Sequence, residues 1–304
     1  METIRTDIRL RHGKLYKQCV GWVLVLPTVL YLLVWTVYPL IYALYASLTN
    51  MNMARPLLTK FVGFTNYKLL IQDQFFLTAV GNTLWVTLLS ILLELIIGYL
   101  MAKLFFQAQG TKGIGILRTI FILPIMITPL ITGLLWSYIL NPTLGIMNHL
   151  LKLFHLPALD WFGSSDIALY SIVAINVWQW APFMMLLILA GLNSIPSPLE
   201  EVAQLEGASW WQRLTNLEIP YISQVVVLGI FIRIMENLKM FDLVYATTNG
   251  GPGKATEIVS LLAYRQSFLY YQTGYGAAIA IAILVLSIIL VQFLFKLLWR
   301  REVV

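Results

Sequence analysis

Charge is scarce in this chain. Of 304 residues only 11% are Asp, Glu, Lys or Arg, and 59% are hydrophobic. A soluble domain carries about 25% charged residues. The shortage excludes an ordinary water-soluble globule and implies a polytopic membrane protein. Cysteine is almost missing. The lone Cys19 rules out an internal disulfide and argues against a cysteine-based metal centre. The histidines, His12, His149 and His155, are scattered over both sides of the apolar runs and make no metal site. A phosphate-binding loop is lacking as well. Gly253-Lys254 comes nearest, but the motif needs Gly at position 248 and Ser or Thr at 255, where Thr248 and Ala255 stand. The chain is therefore not expected to hydrolyse ATP, to carry a cofactor or to be an enzyme. No cluster of His, Asp or Ser sits at one membrane depth. The net charge of +6 is no nucleic-acid footprint, because the basic residues stand mostly at the ends of apolar runs.

What is present is a series of long apolar runs. A helix needs about 20 apolar residues to cross the hydrocarbon. Six segments qualify: 20–48, 79–106, 114–140, 167–192, 219–246 and 275–299. The fold class is all-α, with about six transmembrane helices. The run at 20–48 is too long for a signal-peptide core and reads as a first span. Residues 1–19 form a basic tail, and 20–300 form the membrane domain, with a polar loop at 193–220. With the N-terminus inside, Lys and Arg outnumber those in the outer segments about two to one, which puts both termini and that loop in the cytoplasm. Pro124 and Pro129 mark the third span and Pro182 the fourth, as pathway-lining interruptions or as kinks satisfied by neighbours.

Polar residues inside spans are costly and are candidates for function. In the fourth span Asn176, Gln179, Trp180 and Phe183 fall at i, i+3, i+4 and i+7. In the fifth, Arg233, Glu236, Asn237 and Met240 repeat those offsets. Each set occupies one helical face near mid-span. Amides, charges and aromatic faces suit a polyhydroxylated ligand. An alternative for Arg233 and Glu236 is a mutual ion pair at i, i+3. Lys239 and Asp242 share that spacing and read as structural. Trp178 is expected to pack on a neighbouring helix. Glu94, a lone acid in the second span, is either a proton-coupling site or an interior acid satisfied near Lys103 or Arg118.

The loop at 193–220 is acidic and helix-prone. Pro196 and Pro198 stop one helix and start another, with Ser197 a cap. Glu200 and Glu201 stand in the first turn, where the helix dipole favours acids. Gly207 permits a sharp exit or a close backbone approach. A short amphipathic helix held outside the membrane between two spans needs something to dock against.

Glu201, Ala203, Gly207 and Ala208, closed by Glu218-Ile219-Pro220, resemble the Glu-Ala-Ala–Gly signature loop of permease subunits in binding-protein-dependent ABC importers. Val202 and Glu218 depart mildly from that pattern. Phe241-Asp242-Leu243-Val244-Tyr245, Gly250-Gly251-Pro252 and Thr256-Glu257 look like the first permease subunit of the maltose-permease-type sugar subfamily, and Trp178 to Pro196 fits as well. The resemblance implies a type I importer fold in the inner membrane. It implies a second permease subunit as heterodimer partner, two ATPase subunits that bind ATP and Mg, an extracytoplasmic solute-binding protein, and a sugar or oligosaccharide as substrate. Glu201, Ala203, Gly207 and Ala208 would then couple to the ATPase. Two other readings stay open: an ABC permease for glycerol phosphate or another anion, which Arg233 keeps alive, and an ion-coupled secondary transporter, which would use Glu94, Arg233, Glu236 and Asp242; an integral membrane enzyme would need the His, Asp or Ser cluster that the chain lacks.

Overall fold

The computed structural model describes residues 22–299, so the tail at 1–19, with His12 and Cys19, lies outside the described residues. The fold is helical, and among the described residues the strand-like pairing is confined to an isolated bridge between Thr49 and Phe61. Long apolar helices are α1 (Trp22–Ser47), α3 (Gln74–Gln107), α7 (Ala168–Leu192), α9 (Trp210–Leu238) and α12 (Thr273–Trp299). Shorter ones are α2 (Thr65–Gln72), α4 (Ile114–Met126), α5 (Pro129–Ile139), α6 (Ile146–Leu153), α8 (Ser197–Leu205), α10 (Asp242–Thr247) and α11 (Val259–Tyr264).

Helix α7 is the most enclosed of the long helices and forms the centre of the bundle. It packs most extensively on α3, and α9 lies against both. Lipid tails offer no hydrophobic drive for helix association, so close packing needs small residues at crossings. Gly98 of α3 meets Met184 and Met185 of α7, and Gly191 of α7 meets Ile222 and Val225 of α9. Helix α1 has its first turns fully exposed, and only its Tyr38–Ser47 half packs, on α12.

Two expected spans differ from the sequence reading. The third is not one helix: α4 and α5 meet at a 100° bend. Pro124 starts a 3-10 turn over Leu123–Met126, and Pro129 opens α5, so Ile127 and Thr128 stay extended. The residue before a proline is pushed out of the α region. Pro182, by contrast, lies inside an unbroken α7.

The fifth span is displaced. Its helix starts at Trp210, inside the polar loop, and ends at Leu238, with a break before α10. Pro220 does not start it. The Pro220 ring would clash with the carbonyl four residues back in an α-turn. A wider π turn over Leu214–Glu218 absorbs that conflict and keeps the helix continuous.

A matched pair of substitutions tests the α3–α7 crossing. A Cβ on Gly98 would stand 2.7 Å from the Met184 Cβ, whereas a Cβ on Gly81 of the same helix meets nothing within 4 Å. Both changes gain similar helix propensity. Gly98→Ala is expected to be less stable than Gly81→Ala by about 1–3 kcal/mol, read from thermal unfolding in detergent. Equal melting temperatures would show that the crossing is slack.

Candidate functional site

The two predicted polar faces meet. Asn176, Gln179 and Trp180 of α7 and Arg233, Glu236, Asn237 and Met240 at the end of α9 line a cavity of about 240 Å³. Phe183 does not line it, and instead meets the Trp180 ring edge-on at 6.1 Å. The cluster on α9 stands at the helix end and in the break after it, rather than mid-helix as the longer predicted span implied. Both chain interruptions border the cavity: Pro129 of the α4–α5 bend and the Lys239–Phe241 break. Freed backbone groups at membrane depth must find partners. Gln179 Nε2 donates to the carbonyl of Ile127 at 2.6 Å, inside the bend, and Ser260 Oγ donates to the carbonyl of Met240.

The charges pair differently from expectation. Arg233 does not pair with Glu236. Its Nε and Nη2 donate to the two carboxylate oxygens of Glu94, each at 2.7 Å, and both side chains are almost completely buried. Glu94 is satisfied, but by Arg233 rather than by Lys103 or Arg118. Glu236 pairs with Lys239 at 2.8 Å, so the spacing from Lys239 to Asp242 makes no ion pair. Arg233 Nη2 also donates to Asn176 Oδ1 at 3.2 Å and to Asn237 Oδ1 at 3.3 Å, and the guanidinium lies over the Trp180 ring at 4.4 Å. Asn176 Nδ2 donates to Asn237 Oδ1 at 2.8 Å and to Ser90 Oγ at 3.0 Å. Asn237 Nδ2 is buried without a partner. Buried polar groups are normally satisfied, so this unpaired amide in a residue that lines the cavity is an exception. Trp178 packs as expected, edge-on against Trp136 at 5.3 Å.

A second buried cluster went unread in the sequence. Lys103 of α3 pairs with Glu218, and Tyr99 OH donates to Glu218 Oε2 at 2.6 Å. Glu218 ends the π turn at the base of α9. The sequence offered little signal, because Glu218 reads as the end of the polar loop, and only the continuous helix from Trp210 brings it against Lys103 of α3.

The polar loop at 193–220 is built from end signals. The cap of α8 is Pro196 rather than Ser197, and Ser197 makes no side-chain capping bond. Glu200 sits in the first turn and pairs with Arg213 at 2.9 Å. Gly207 adopts a left-handed φ of +68°. Its N–H bonds the Gln204 carbonyl, and the Ala208 N–H bonds the Ala203 carbonyl at 3.0 Å. That pattern closes a helix with glycine at the left-handed position. Gly207 thus provides the exit, and no close approach, since a Cβ there meets nothing within 4 Å. Ser209 and Gln212 then form a reciprocal capping box that starts α9. Glu201 is exposed, and Leu199, Val202 and Leu205 leave an apolar face open.

On the other side, the Gly-Gly-Pro motif is a closed turn. Thr248 and Thr256 share a hydrogen bond of 2.6 Å, and Arg265 holds Glu257 at 3.0 Å. Burial pushes the Glu257 carboxyl above its usual range, while Arg265 and Lys254 pull it back. Gly250, with φ +82°, leaves room that a Cβ would take from the Glu257 carboxylate.

Comparison with known proteins agrees with this geometry. The family described as "Binding-protein-dependent transport system inner membrane component" matches residues 94–303. The chain is 32% identical to the trehalose/maltose transport system permease protein MalF of Thermococcus litoralis over 94% of each chain. It is 33% identical to the trehalose transport system permease protein SugA of Mycobacterium tuberculosis, over 92% of this chain and 87% of the relative. A solved bacterial alginate ABC transporter, in complex with an alginate pentasaccharide-bound periplasmic protein, superposes with a TM-score of 0.83. It covers 96% of this chain and 98% of that one at 23% identity, a likeness of fold.

Removing one partner of a buried ion pair strands the other and costs about 3–5 kcal/mol. Glu94→Gln and Arg233→Met are each expected to destabilise the chain on that scale, and the double variant by clearly less than their sum. Unfolding in detergent measures the cycle. Additive losses would mean that the two groups are not coupled.

Proposed function

Because the chain belongs to the family of binding-protein-dependent transport system inner membrane components, we propose that it is the permease subunit through which an ATP-driven importer moves a sugar or oligosaccharide. It is a multi-pass inner-membrane protein of an ABC importer and is not itself an enzyme. The observation that carries the substrate reading is the meeting of the α7 and α9 polar faces around one cavity. Amides, an indole and charged groups there can hydrogen-bond hydroxyls and stack on sugar C–H faces. The names of the trehalose and maltose relatives support the same class.

In this reading Asn176, Gln179, Trp180, Phe183, Arg233, Glu236, Asn237 and Met240 make up the substrate path. Asn237 lines the cavity and has an unpaired amide nitrogen. Gln179 acts chiefly by holding the α4–α5 bend. Phe183 supports Trp180. Both termini lie in the cytoplasm, and so does α8. A second, similar permease subunit completes the pathway, a solute-binding protein delivers the sugar from outside, and two ATPase subunits bind ATP and Mg below. Helix α8, with Glu201, Ala203, Gly207 and Ala208, docks on an ATPase subunit through its exposed face. ATP-driven closure displaces α8. The displacement passes through the capping box into α9 and along it to the cavity, with no flexible linker between.

Uptake of labelled trehalose and maltose by cells carrying the chain with its partner subunits tests the reading. Asn237→Ala is expected to raise KM about tenfold or more, equivalent to losing one buried hydrogen bond, while co-purification with the ATPase stays intact. Glu201→Ala is expected to do the reverse, lowering co-purification and sugar-stimulated ATP hydrolysis with KM unchanged. Normal kinetics in Asn237→Ala would take it out of the path, and unchanged hydrolysis in Glu201→Ala would end the docking assignment.

A further inference from the structure

Building on the sugar reading above, we infer that Glu94 is a specificity-determining residue: it neutralises Arg233 beside the cavity, so that the site accepts an uncharged polyhydroxylated ligand and rejects phosphorylated or carboxylated ones. Glu94 lies behind the cavity lining and would not touch the ligand. It acts by occupying one of the two edges of Arg233 that suit an anion and by neutralising the charge carried on the other. Nε and Nη2 form the fork that would grip a phosphate or carboxylate at two points, and both already donate to Glu94. What Nη2 has left goes to the amide oxygens of Asn176 and Asn237. Arg233 thus orients two neutral amides, those of Asn176 and Asn237.

The remaining charges point the same way. Lys239, the other cation in the lining, is held by Glu236. Asp242 lines the cavity and has no ion-pair partner among the described residues. Counting Glu94, the cavity and its backing hold two cations and three anions, a surplus of one negative charge. That surplus belongs to Asp242, which is exposed together with Lys239, so it disfavours an incoming anion through a screened interaction. A solved bacterial ABC transporter of like fold is involved in the import of the acidic polysaccharide alginate, so the fold alone does not fix the charge of the cargo. In this chain the balance is set by an acid outside the lining.

Equilibrium dialysis of radiolabelled inorganic phosphate against the purified full-length chain in lipid nanodiscs tests this directly. The wild type and the doubly neutral Glu94→Gln/Arg233→Met variant are expected to show no saturable binding. Glu94→Gln, which leaves Arg233 uncompensated, is expected to bind phosphate about tenfold or more tightly than the wild type. Two results would overturn the inference: wild-type binding that the double variant abolishes, or folded Glu94→Gln binding no tighter than wild type. Should Glu94→Gln fail to fold, the wild type and the double variant still decide. Cells that take up trehalose and trehalose 6-phosphate at similar rates would also refute it. The dialysis needs no sugar transport. A chain that moves neither trehalose nor maltose removes the sugar reading, whereas phosphate binding by the wild type removes only the role of Glu94.

Discussion

An ionised side chain in hydrocarbon must be paired, and that constraint organises the bundle. Placing an acid or base at mid-helix costs about 2.5–3.5 kcal/mol on insertion scales. The chain meets the cost by setting ions of α3 against ions of α9. Glu94 holds Arg233 beside the cavity, and Lys103 holds Glu218 at the base of α9. Neither pair is a bargain in stability terms, because desolvation offsets much of the attraction. Their value lies in position. Two buried pairs at two heights fix the register of antiparallel helices far more sharply than apolar packing in lipid, where one leucine face resembles another. Everything that lines the cavity from α9 inherits its place from that register.

The breaks in the spans follow from the same economy. A cavity lined by polar groups needs room and unpaired donors, and continuous helices supply neither. The α4–α5 bend and the Lys239–Phe241 interruption open backbone beside the cavity. Each is then secured from another element, by Gln179 on the Ile127 carbonyl and by Ser260 on the Met240 carbonyl. The irregular backbone is thus enclosed by protein rather than lipid. Gln179 has a double identity here: it belongs to the polar face, yet its amide nitrogen is committed to the scaffold.

Much of this was legible in the sequence, and the misses have physical causes. The apolar runs locate the spans, because length and composition alone decide whether a helix crosses hydrocarbon. The i, i+3, i+4, i+7 offsets group residues of which Asn176, Gln179, Trp180, Arg233, Glu236, Asn237 and Met240 line one cavity and Phe183 does not. Helical spacing also suggests an Arg233–Glu236 pair, and there it misleads. Neighbours along one helix compete with partners across the bundle, and the buried guanidinium takes the carboxylate that is equally cut off from water. Glu236 is far more exposed and settles for Lys239. Span limits fail where proline acts in two ways. Pro182 is tolerated within α7, while the third span breaks at Ile127 and Thr128, where Pro129 pushes the residue before it out of the helical region. Pro220 looks like a start, but a π turn carries the helix through it.

That π turn joins the loop to the site. A proline at the membrane edge would ordinarily separate α8 and its exit from the span, and motion of the loop would be lost at the joint. Here the helix runs unbroken from the Ser209 cap to Leu238, past Arg233 and Asn237. Glu218, at the end of the widened turn, fastens that joint to α3 through Lys103 and Tyr99. A displacement of α8 therefore cannot tilt α9 alone without stranding two buried ions, so α3 and α9 respond as one body. The bend between α4 and α5 and the break after Leu238 carry no such ion pair and are tied by hydrogen bonds alone, from Gln179 and Ser260. Both border the cavity. A load applied at the loop is thus carried rigidly through the charged pairs and relieved where the substrate would sit, which is where a transporter needs its shape to change.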